Sequence, residues 1–214
     1  MEWIKKSEIF VPSQELELPK KHHSLADWDF RAGLVYALDN VTFISAPSSI
    51  HITASTTAVY CLNRDAACLN LPQGRIETQW RAVAITNARP RVDFRNQGTL
   101  GNIDNDNTYY VYFTNTGAIA IKRVASGETT LGSWSHSHAN YTWYRERITW
   151  WNEAPVLLIR YEYWDGAAWQ VVGTDITDSA PDFGSSATNR CGLGGHVTTQ
   201  SGFFCDDTMI YGPA

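Results

Sequence analysis

The sequence lacks the patterns that mark several large classes of protein. Its 214 residues include 17 basic and 22 acidic side chains, which gives a net charge of −5. No basic surface for nucleic-acid phosphates is therefore predicted. No apolar run approaches the roughly twenty residues of a membrane helix. The first residues, MEWIKKSEIFVPSQ, show no secretory signal. We expect neither nucleic-acid binding nor membrane insertion.

Helical periodicity is also missing, and short alternating stretches take its place. In YTWYRERITWW and VLLIRYEYW, apolar and mixed side chains alternate, as they do on strands with one buried face. Asp165-Gly166 predicts a tight turn between the second strand and the following WQVV. Turn signals recur about every ten residues. The sequence therefore predicts an all-β fold: a two-sheet antiparallel β-sandwich, or jelly roll, over residues 25–214.

Residues 1–24 differ from the rest in combining charge and proline with few apolar side chains. KSEIFVPS is long enough for one strand that ends at Pro12. Such a segment is either a poorly ordered terminus or an extended N-terminal arm that docks on a neighbouring chain. We predict an arm of this second kind.

The four cysteines flank two loop-like segments, Cys61 with Cys68 and Cys191 with Cys205. Both pairs suit disulfide bridges across a turn or between adjacent strands, although four cysteines allow three pairings. The alternative is that they are buried thiols, because cysteine is common in protein cores. The sequence has no C-x-x-C spacing, so it does not favour a zinc site.

Several stretches resemble the concanavalin A-like lectin and glucanase superfamily, which includes laminin-G-like modules. An early DWDF strand leads to SSIHI, WYRERI is followed by RYEYWDG and Trp169, and the chain closes on Gly194-Gly195 and GFFCDD. The likeness covers residues 25–212 in layout. It implies two curved sheets with adjacent terminal strands and a concave face that often holds glycans.

The motifs of the superfamily's enzymes are absent. Glucanase members carry Glu-x-Asp-x-x-Glu or a close variant along one strand, whereas Glu146 stands alone between arginines and Asp165 belongs to a turn. Lyase members carry a Gln-x-His strand motif, and the nearest internal histidine, His51, lacks that glutamine. We therefore expect a protein that is not an enzyme, with a polysaccharide lyase or glycoside hydrolase as the third reading.

Polar side chains on predicted strand faces form the candidate ligand site. Arginine guanidinium groups bind carboxylate and sulfate oxygens in pairs, and tyrosine and tryptophan suit hydroxyl-rich sugars. If these faces share one concave sheet, they form a groove for an anionic or hydroxyl-rich glycan. The alternative is a solvated sheet face with cross-strand ion pairs. The candidate residues are Arg91, Asp93, Arg95, Tyr110, Tyr112, Arg145, Arg147, Arg160, Glu162 and, in a loop, Trp134.

Two metal sites are conceivable. Asp29 near the first strand and Asp207 near the last are candidate ligands for Ca²⁺, which takes carboxylate and carbonyl oxygens. His136 and His138 alternate in GSWSHSHANYT, but two histidines are too few for a site, so an exposed loop is the better interpretation.

The leading interpretation is a non-catalytic, lectin-like carbohydrate-recognition or attachment module. The alternative is a structural or decoration protein of a virion or other surface assembly that docks through residues 1–24. Either role predicts an extracellular or virion or cell-surface location and a glycan or a protein assembly as the partner.

Overall fold

The computed structural model describes residues 20–22, 24–30, 35–39, 41–44, 49–53, 58–64, 71, 73–84, 88–98, 107–113, 117–125, 127–153, 155–181, 190–197 and 202–212. These residues form strands and connections, with one 3₁₀ turn at Leu25–Asp27. In this part of the chain no helix is long and apolar enough to span a membrane. The predicted all-β class is confirmed. Residues 1–19, with the expected strand in KSEIFVPS, lie outside the described residues.

The described strands form two antiparallel sheets. The nine-stranded sheet has the order β13-β12-β11-β6-β16-β4-β3, with β1 beside β16 and β14 beside β12. Its strands are β1 (Lys20–His22), β3 (Val35–Asp39), β4 (Ser49–Thr53), β6 (Gly74–Ala82), β11 (Tyr144–Glu153), β12 (Val156–Trp164), β13 (Trp169–Val171), β14 (Ile176–Asp178) and β16 (Phe203–Tyr211).

The seven-stranded sheet has the order β10-β9-β8-β7-β15-β5-β2. Four strands that follow one another in sequence, β7 to β10, form one side of it as a meander. The seven strands are β2 (Trp28–Phe30), β5 (Ala58–Asn63), β7 (Ala88–Asn96), β8 (Thr108–Phe113), β9 (Ala118–Val124), β10 (Glu128–Ser135) and β15 (Arg190–Val197).

The core lies between the two sheets and follows the alternation of the sequence. Ile148 and Trp150 of β11 are buried, and so are Ile159 and Tyr161 of β12. Each strand alternates its side chains between two faces, so the residues between them point outward. Trp150 and its neighbour Trp151 accordingly face opposite sides, and the Trp151 ring lies under the Arg160 guanidinium. The phase predicted from the sequence is therefore correct on these strands.

The cysteines that the structure describes are core thiols. Cys61 of β5 and Cys205 of β16 are buried, and neither is in a disulfide. Cys191 and Cys205 belong to different sheets, so they are not on the adjacent strands of one sheet that their spacing suggested. Burial raises the pKa of the Cys61 and Cys205 thiols, so both stay protonated. Cys68 lies outside the described residues.

Candidate functional site

The predicted ligand residues lie on two outward faces, not in one groove. β7 and β8 belong to the seven-stranded sheet, whereas β11 and β12 belong to the nine-stranded sheet. Since both sets point away from the shared core, they lie on opposite sides of the sandwich. The expectation of a single arginine-lined groove is therefore wrong. Arg91, Asp93, Tyr110 and Tyr112 share one face, and Arg145, Arg147, Arg160 and Glu162 share the other.

Asp93 is the centre of the first face, which we call the tyrosine–arginine face (Arg89, Arg91, Asp93, Tyr110, Tyr112, Lys122 and Glu128). Its carboxylate is fully buried. Arg91 donates two hydrogen bonds to it, the one from Nε at 2.8 Å. Asn96 Nδ2 and Thr108 Oγ1 donate further bonds of 3.2 and 3.1 Å. These bonds hold Arg91 flat on the sheet.

Tyr110 connects this buried pair to the edge of the face. The Arg91 Cζ atom lies 3.6 Å from the centre of its ring. Its hydroxyl donates a hydrogen bond to Glu128 of β10, which also accepts one from Lys122. Burial and the bond to Glu128 raise the pKa of Tyr110. Burial acts to raise the pKa of Glu128 as well, but the bonds from Lys122 and Tyr110 outweigh it, so that pKa is lowered.

Arg89 and Tyr112 form the accessible rim. Arg89 Nη1 donates a 2.9 Å hydrogen bond to the Tyr112 hydroxyl, and the Lys122 ammonium lies 5.6 Å from the centre of the Tyr112 ring. Among the described residues no carboxylate pairs with Arg89, and its Nε is a buried donor without an acceptor. The face therefore combines an aromatic ring, an uncompensated guanidinium and a carboxylate, Glu128, that is 48% exposed.

The second face, which we call the arginine–tryptophan face (Glu77, Arg145, Arg147, Arg160, Glu162, Trp164 and Trp169), is a ladder of cross-strand pairs. Arg147 stands directly opposite Glu162 and donates two bonds to it, of 2.7 and 2.8 Å. Arg145 reaches Glu77 of β6 at 3.2 Å. The Arg147 guanidinium lies 4.2 Å from the centre of the Trp169 ring.

Arg160 extends this ladder toward the loop before β14. It donates two 2.7 Å hydrogen bonds to Asp175, and these bonds raise its pKa. Such pairs are what a solvated sheet face makes between neighbouring strands. The arginine–tryptophan face is thus a solvated sheet face with cross-strand ion pairs, which was the alternative to a ligand groove in the sequence analysis.

Arg95 does not join either face. Its backbone has φ +49°, and the register between β7 and β15 shifts beside it, which marks a β-bulge. The side chain turns into the sandwich, where Nη2 donates a 2.6 Å hydrogen bond to Asn152 of β11. Burial lowers the pKa of Arg95. Strict alternation predicted that Arg95 shares the face of Arg91 and Asp93, and the bulge is why it does not.

Trp134 is on a strand and not in a loop, whereas His136 and His138 lie in the irregular segment after β10, as expected, with their side chains turned inward. Trp134 is part of β10 and packs against the core and against the backbone at Gly173, where a Cβ atom would come within 1.8 Å of the indole nitrogen. The His138 side chain is fully buried. In the core, His138 lies close to His136 and Glu146. The sequence did not predict this cluster, because Glu146 is eight residues away from His138 and lies on the core face of β11.

Asp29 and Asp207 are not brought onto neighbouring strands. Asp29 lies on β2 of the seven-stranded sheet and forms ion pairs with Arg64 and Arg190, at 2.6 and 2.8 Å. Asp207 lies on β16 of the other sheet and accepts a 2.9 Å hydrogen bond from Gln79. Two strands in different sheets cannot supply the shared edge that the predicted calcium site needs, so the structure does not assemble this pair.

Arg89, Lys122 and Glu128 were not among the residues predicted from the sequence. Lys122 stands at an outward position of AIAIKRV, so the alternation of this strand could have predicted that its side chain points away from the core. The contribution of Glu128 depends on the β9–β10 pairing, which contains a register shift at Thr130–Gly132. Arg89 directly precedes a proline. The alternation of side chains in this stretch did not mark Arg89 as a candidate ligand residue.

Comparisons with known proteins address the fold. No protein-family model and no curated protein sequence matches the chain. Among solved structures, lectin II from Ulex europaeus matches with a TM-score of 0.60 and 11% identity, over 93% of this chain and 100% of that one. The lumenal domain of VIP36 in its Ca²⁺- and mannose-bound form matches with 0.58 and 12%, over 88% and 83%. The carbohydrate-binding module CBM66 from Bacillus subtilis matches with 0.55 and 11%, over 86% and 95%. At such identities these matches establish the fold alone.

Proposed function

We propose that this chain, which has the concanavalin A-like jelly-roll fold that its sequence resemblance implied, is a non-catalytic glycan-binding module. Its ligand site is the tyrosine–arginine face of the seven-stranded sheet. One observation carries this assignment: Arg91 and Asp93, at 5% and 0% exposure, form a desolvated ion pair on the outward side of a sheet.

A desolvated ion pair is an expensive way to stabilise a sheet. Removing two charges from water costs several kcal/mol per ion, and the attraction between them returns that cost only with good geometry and further hydrogen bonds. Arg91 and Asp93 lie two residues apart on one strand, so the ion pair itself runs along β7, and the link from the Asp93 carboxylate to β8 is the single bond from Thr108. What they do is fix the Tyr110 ring, and through its hydroxyl Glu128, in one position.

The rim has the chemistry of a sugar site. A pyranose presents hydroxyl groups, which need both donors and acceptors, and a C–H face that packs on an aromatic ring. Tyr112 supplies the ring, Arg89 and Lys122 supply donors, and Glu128 supplies acceptor oxygens. Because Arg89 has no carboxylate partner among the described residues, a sugar with a carboxylate or sulfate group fits this rim as well as a neutral one.

The structural neighbours support a role of this kind. VIP36 is described in mannose-bound form, the lectin UEA-II in complex with galactose, and CBM66 as a carbohydrate-binding module. A glycan-binding role implies an extracellular or surface location. Since the VIP36 structure contains Ca²⁺, a requirement for calcium is part of the test, with ligands other than the Asp29–Asp207 pair.

The test is binding to an array of neutral and acidic glycans, followed by titration of the best ligand with and without Ca²⁺. We expect Arg89→Ala and Tyr112→Ala to weaken binding at least tenfold, because each removes a contact of the rim. Arg145→Ala and Trp169→Ala make matched losses on the other side of the sandwich and are expected to leave affinity unchanged. The reverse pattern would move the site to the arginine–tryptophan face. No bound glycan in either class would overturn the proposal.

An assembly role is the second candidate, and one patch favours it. Tyr36 and Leu38 of the edge strand β3, with Val41, Phe43 and Ile44 after it, are exposed apolar side chains. Exposed apolar clusters mark surfaces that contact other proteins. Sedimentation of the chain with and without residues 1–19, which leaves β1 in place, tests docking through the arm. A monomer in both forms at high concentration would count against this role.

A further inference from the structure

A buried cluster of metal-binding side chains lies at one end of the sandwich, apart from both outward faces. His136, His138 and Glu146 place their ligand atoms within 4.8 Å of one another. The two imidazole rings are 4.6 Å apart and nearly perpendicular. His138 Nε2 lies 2.8 Å from a Glu146 carboxylate oxygen, and the other oxygen accepts a hydrogen bond from Trp80 Nε1.

The backbone holds the histidines in this position. His136 N donates a 2.8 Å hydrogen bond to the carbonyl of Gly117, and Tyr141 N donates one of the same length to Ala82. Between them, Ala139 N donates to the Tyr144 hydroxyl. The segment after β10 is thus fixed at three points, and it folds back over the core face of β11 that carries Glu146.

Two nitrogen atoms in the cluster have no hydrogen-bond partner among the residues that the structure describes. His136 Nε2 and His138 Nδ1 are buried from solvent and make no hydrogen bond. The His138 side chain is fully buried, so its orphaned nitrogen is not served by bulk water. A buried polar atom without a partner is costly, so something is expected to satisfy these two.

Glu146 poses the same problem with a charge. It is fully buried, and among the described residues no lysine or arginine pairs with it. Its neighbours are the Trp80 indole, the His138 imidazole and the Tyr161 hydroxyl, whose pKa is raised by burial and by Glu146. A nearby cation would stabilise a carboxylate buried in this way.

We propose that His136, His138 and Glu146 bind a divalent zinc-class ion. Two imidazoles and one carboxylate are a donor set that Zn²⁺ uses, with a fourth position left for another ligand. The Tyr161 hydroxyl next to Glu146 or a water molecule fills that position. The ion compensates the charge of Glu146, binds the His138 Nε2 that faces this carboxylate and occupies the unpartnered His136 Nε2, whereas His138 Nδ1 lies on the far side of the ring and is not a ligand. Ca²⁺ does not suit this set, since it takes six to eight oxygen ligands.

The fit requires a small local adjustment. With metal–ligand distances of about 2.0–2.1 Å, neighbouring donors of a tetrahedral site lie about 3.4 Å apart. The widest of the three separations therefore closes by about 1.4 Å, from the 4.8 Å limit. His136 is only partly buried, so the cluster lies close to the protein surface.

The experiment uses the full chain without added histidine tags. After treatment with a chelator, Zn²⁺ and Co²⁺ are added separately, excess ion is removed, and the bound metal is measured by elemental analysis and by the visible spectrum of Co²⁺. We expect one equivalent of Zn²⁺, the absorption of four-coordinate Co²⁺, no retention of Ca²⁺ and a higher melting temperature with Zn²⁺.

Variants separate this site from other histidines. His136→Ala is the main test, because its partly buried position makes loss of the fold improbable on steric grounds, and we expect at least a tenfold weaker affinity for Zn²⁺. His51→Ala is the matched control: His51 stacks on Phe204 on the outward side of the nine-stranded sheet and should not change zinc binding. Metal below one half equivalent, or equal affinity in His136→Ala and the unmodified chain, would overturn the proposal.

Discussion

The two outward faces of the sandwich use the same residue types for different arrangements. On the arginine–tryptophan face, guanidinium groups pair with carboxylates on neighbouring strands, and Arg145 is 37% exposed. On the tyrosine–arginine face, the central pair lies along a single strand and is removed from water, with Arg91 5% exposed. The first arrangement joins strands. The second orients one group, Tyr110, and through it the rim of the face.

This difference shows that composition does not identify a binding surface. The arginine–tryptophan face has more tryptophan and more arginine, yet its contacts are those of a solvated ladder. The other face has the same number of charged groups, but two of them, Arg91 and Asp93, are almost completely removed from water. The presence of a desolvated ion pair on an outward sheet face indicates that the pair has a role other than stabilising the sheet. The following predictions compare the two faces, from the largest expected effect to the smallest.

Asp93→Asn should lower the free energy of unfolding by about 3–5 kcal/mol, because it leaves the Arg91 guanidinium buried without its counter-charge. Asp175→Asn is the matched change on the other face, where the pair with Arg160 is partly solvated, and it should cost about 1 kcal/mol or less. Urea denaturation of both variants measures the contrast. Equal losses would remove the distinction between the faces.

Arg91→Lys and Arg147→Lys test the geometry of the pairs while keeping the charge. A lysine cannot make the two-pronged bond that each arginine makes to its carboxylate, and it stacks less well on the aromatic ring. We expect a loss of about 2 kcal/mol for Arg91 and about 1 kcal/mol for Arg147, which is more exposed. A larger effect at Arg147 in the same denaturation assay would contradict this order.

Arg145→Ala should change the free energy of unfolding by less than about 1 kcal/mol. Its partner Glu77 retains Arg147 at 4.0 Å, so the carboxylate keeps a counter-charge. Thermal and urea unfolding of this variant measure how much one cross-strand ion pair of the arginine–tryptophan face contributes to the free energy of unfolding. A loss of several kcal/mol would mean that the arginine–tryptophan face is organised as tightly as the other.

Glu128→Gln should alter the pH dependence of stability by a small amount. The folded-state pKa of Glu128 lies below its usual value of 4.5. Its charge therefore contributes stability above about pH 4.5, and that contribution is lost as the pH falls through the lowered folded-state pKa. The unmodified chain should lose stability faster than Glu128→Gln as the pH falls below about 4.5. Parallel acid profiles in circular dichroism would exclude this role of the bonds from Lys122 and Tyr110.

Alternation along the sequence was sufficient to predict the fold class and the face of most side chains. Tyr110 and Tyr112 point outward, and Val111 and Phe113 are buried, as the pattern of β8 indicated. Phase states only that a side chain leaves the core. It does not state which of the two sheets the strand joins, and for this reason one groove was predicted where two faces exist.

Local irregularities and distant contacts were beyond the reach of the pattern. The bulge at Arg95 reverses one side chain without any signal in the neighbouring residues. Glu146 was assigned no partner because it stands between two arginines in sequence, whereas in the fold those arginines point outward and Glu146 points to His138. The contact arises from the path of the chain after β10, which residue spacing does not encode.

The position of β16 has a consequence for how the protein acquires its structure. This strand, residues 203–211, lies in the interior of the nine-stranded sheet, with β6 on one side and β4 on the other. During synthesis the strands made earlier therefore wait, with an open gap between them, until these residues have left the ribosome. Completion of the sheet therefore requires residues 203–211 and depends on contacts distant in sequence, a topology associated with slow folding.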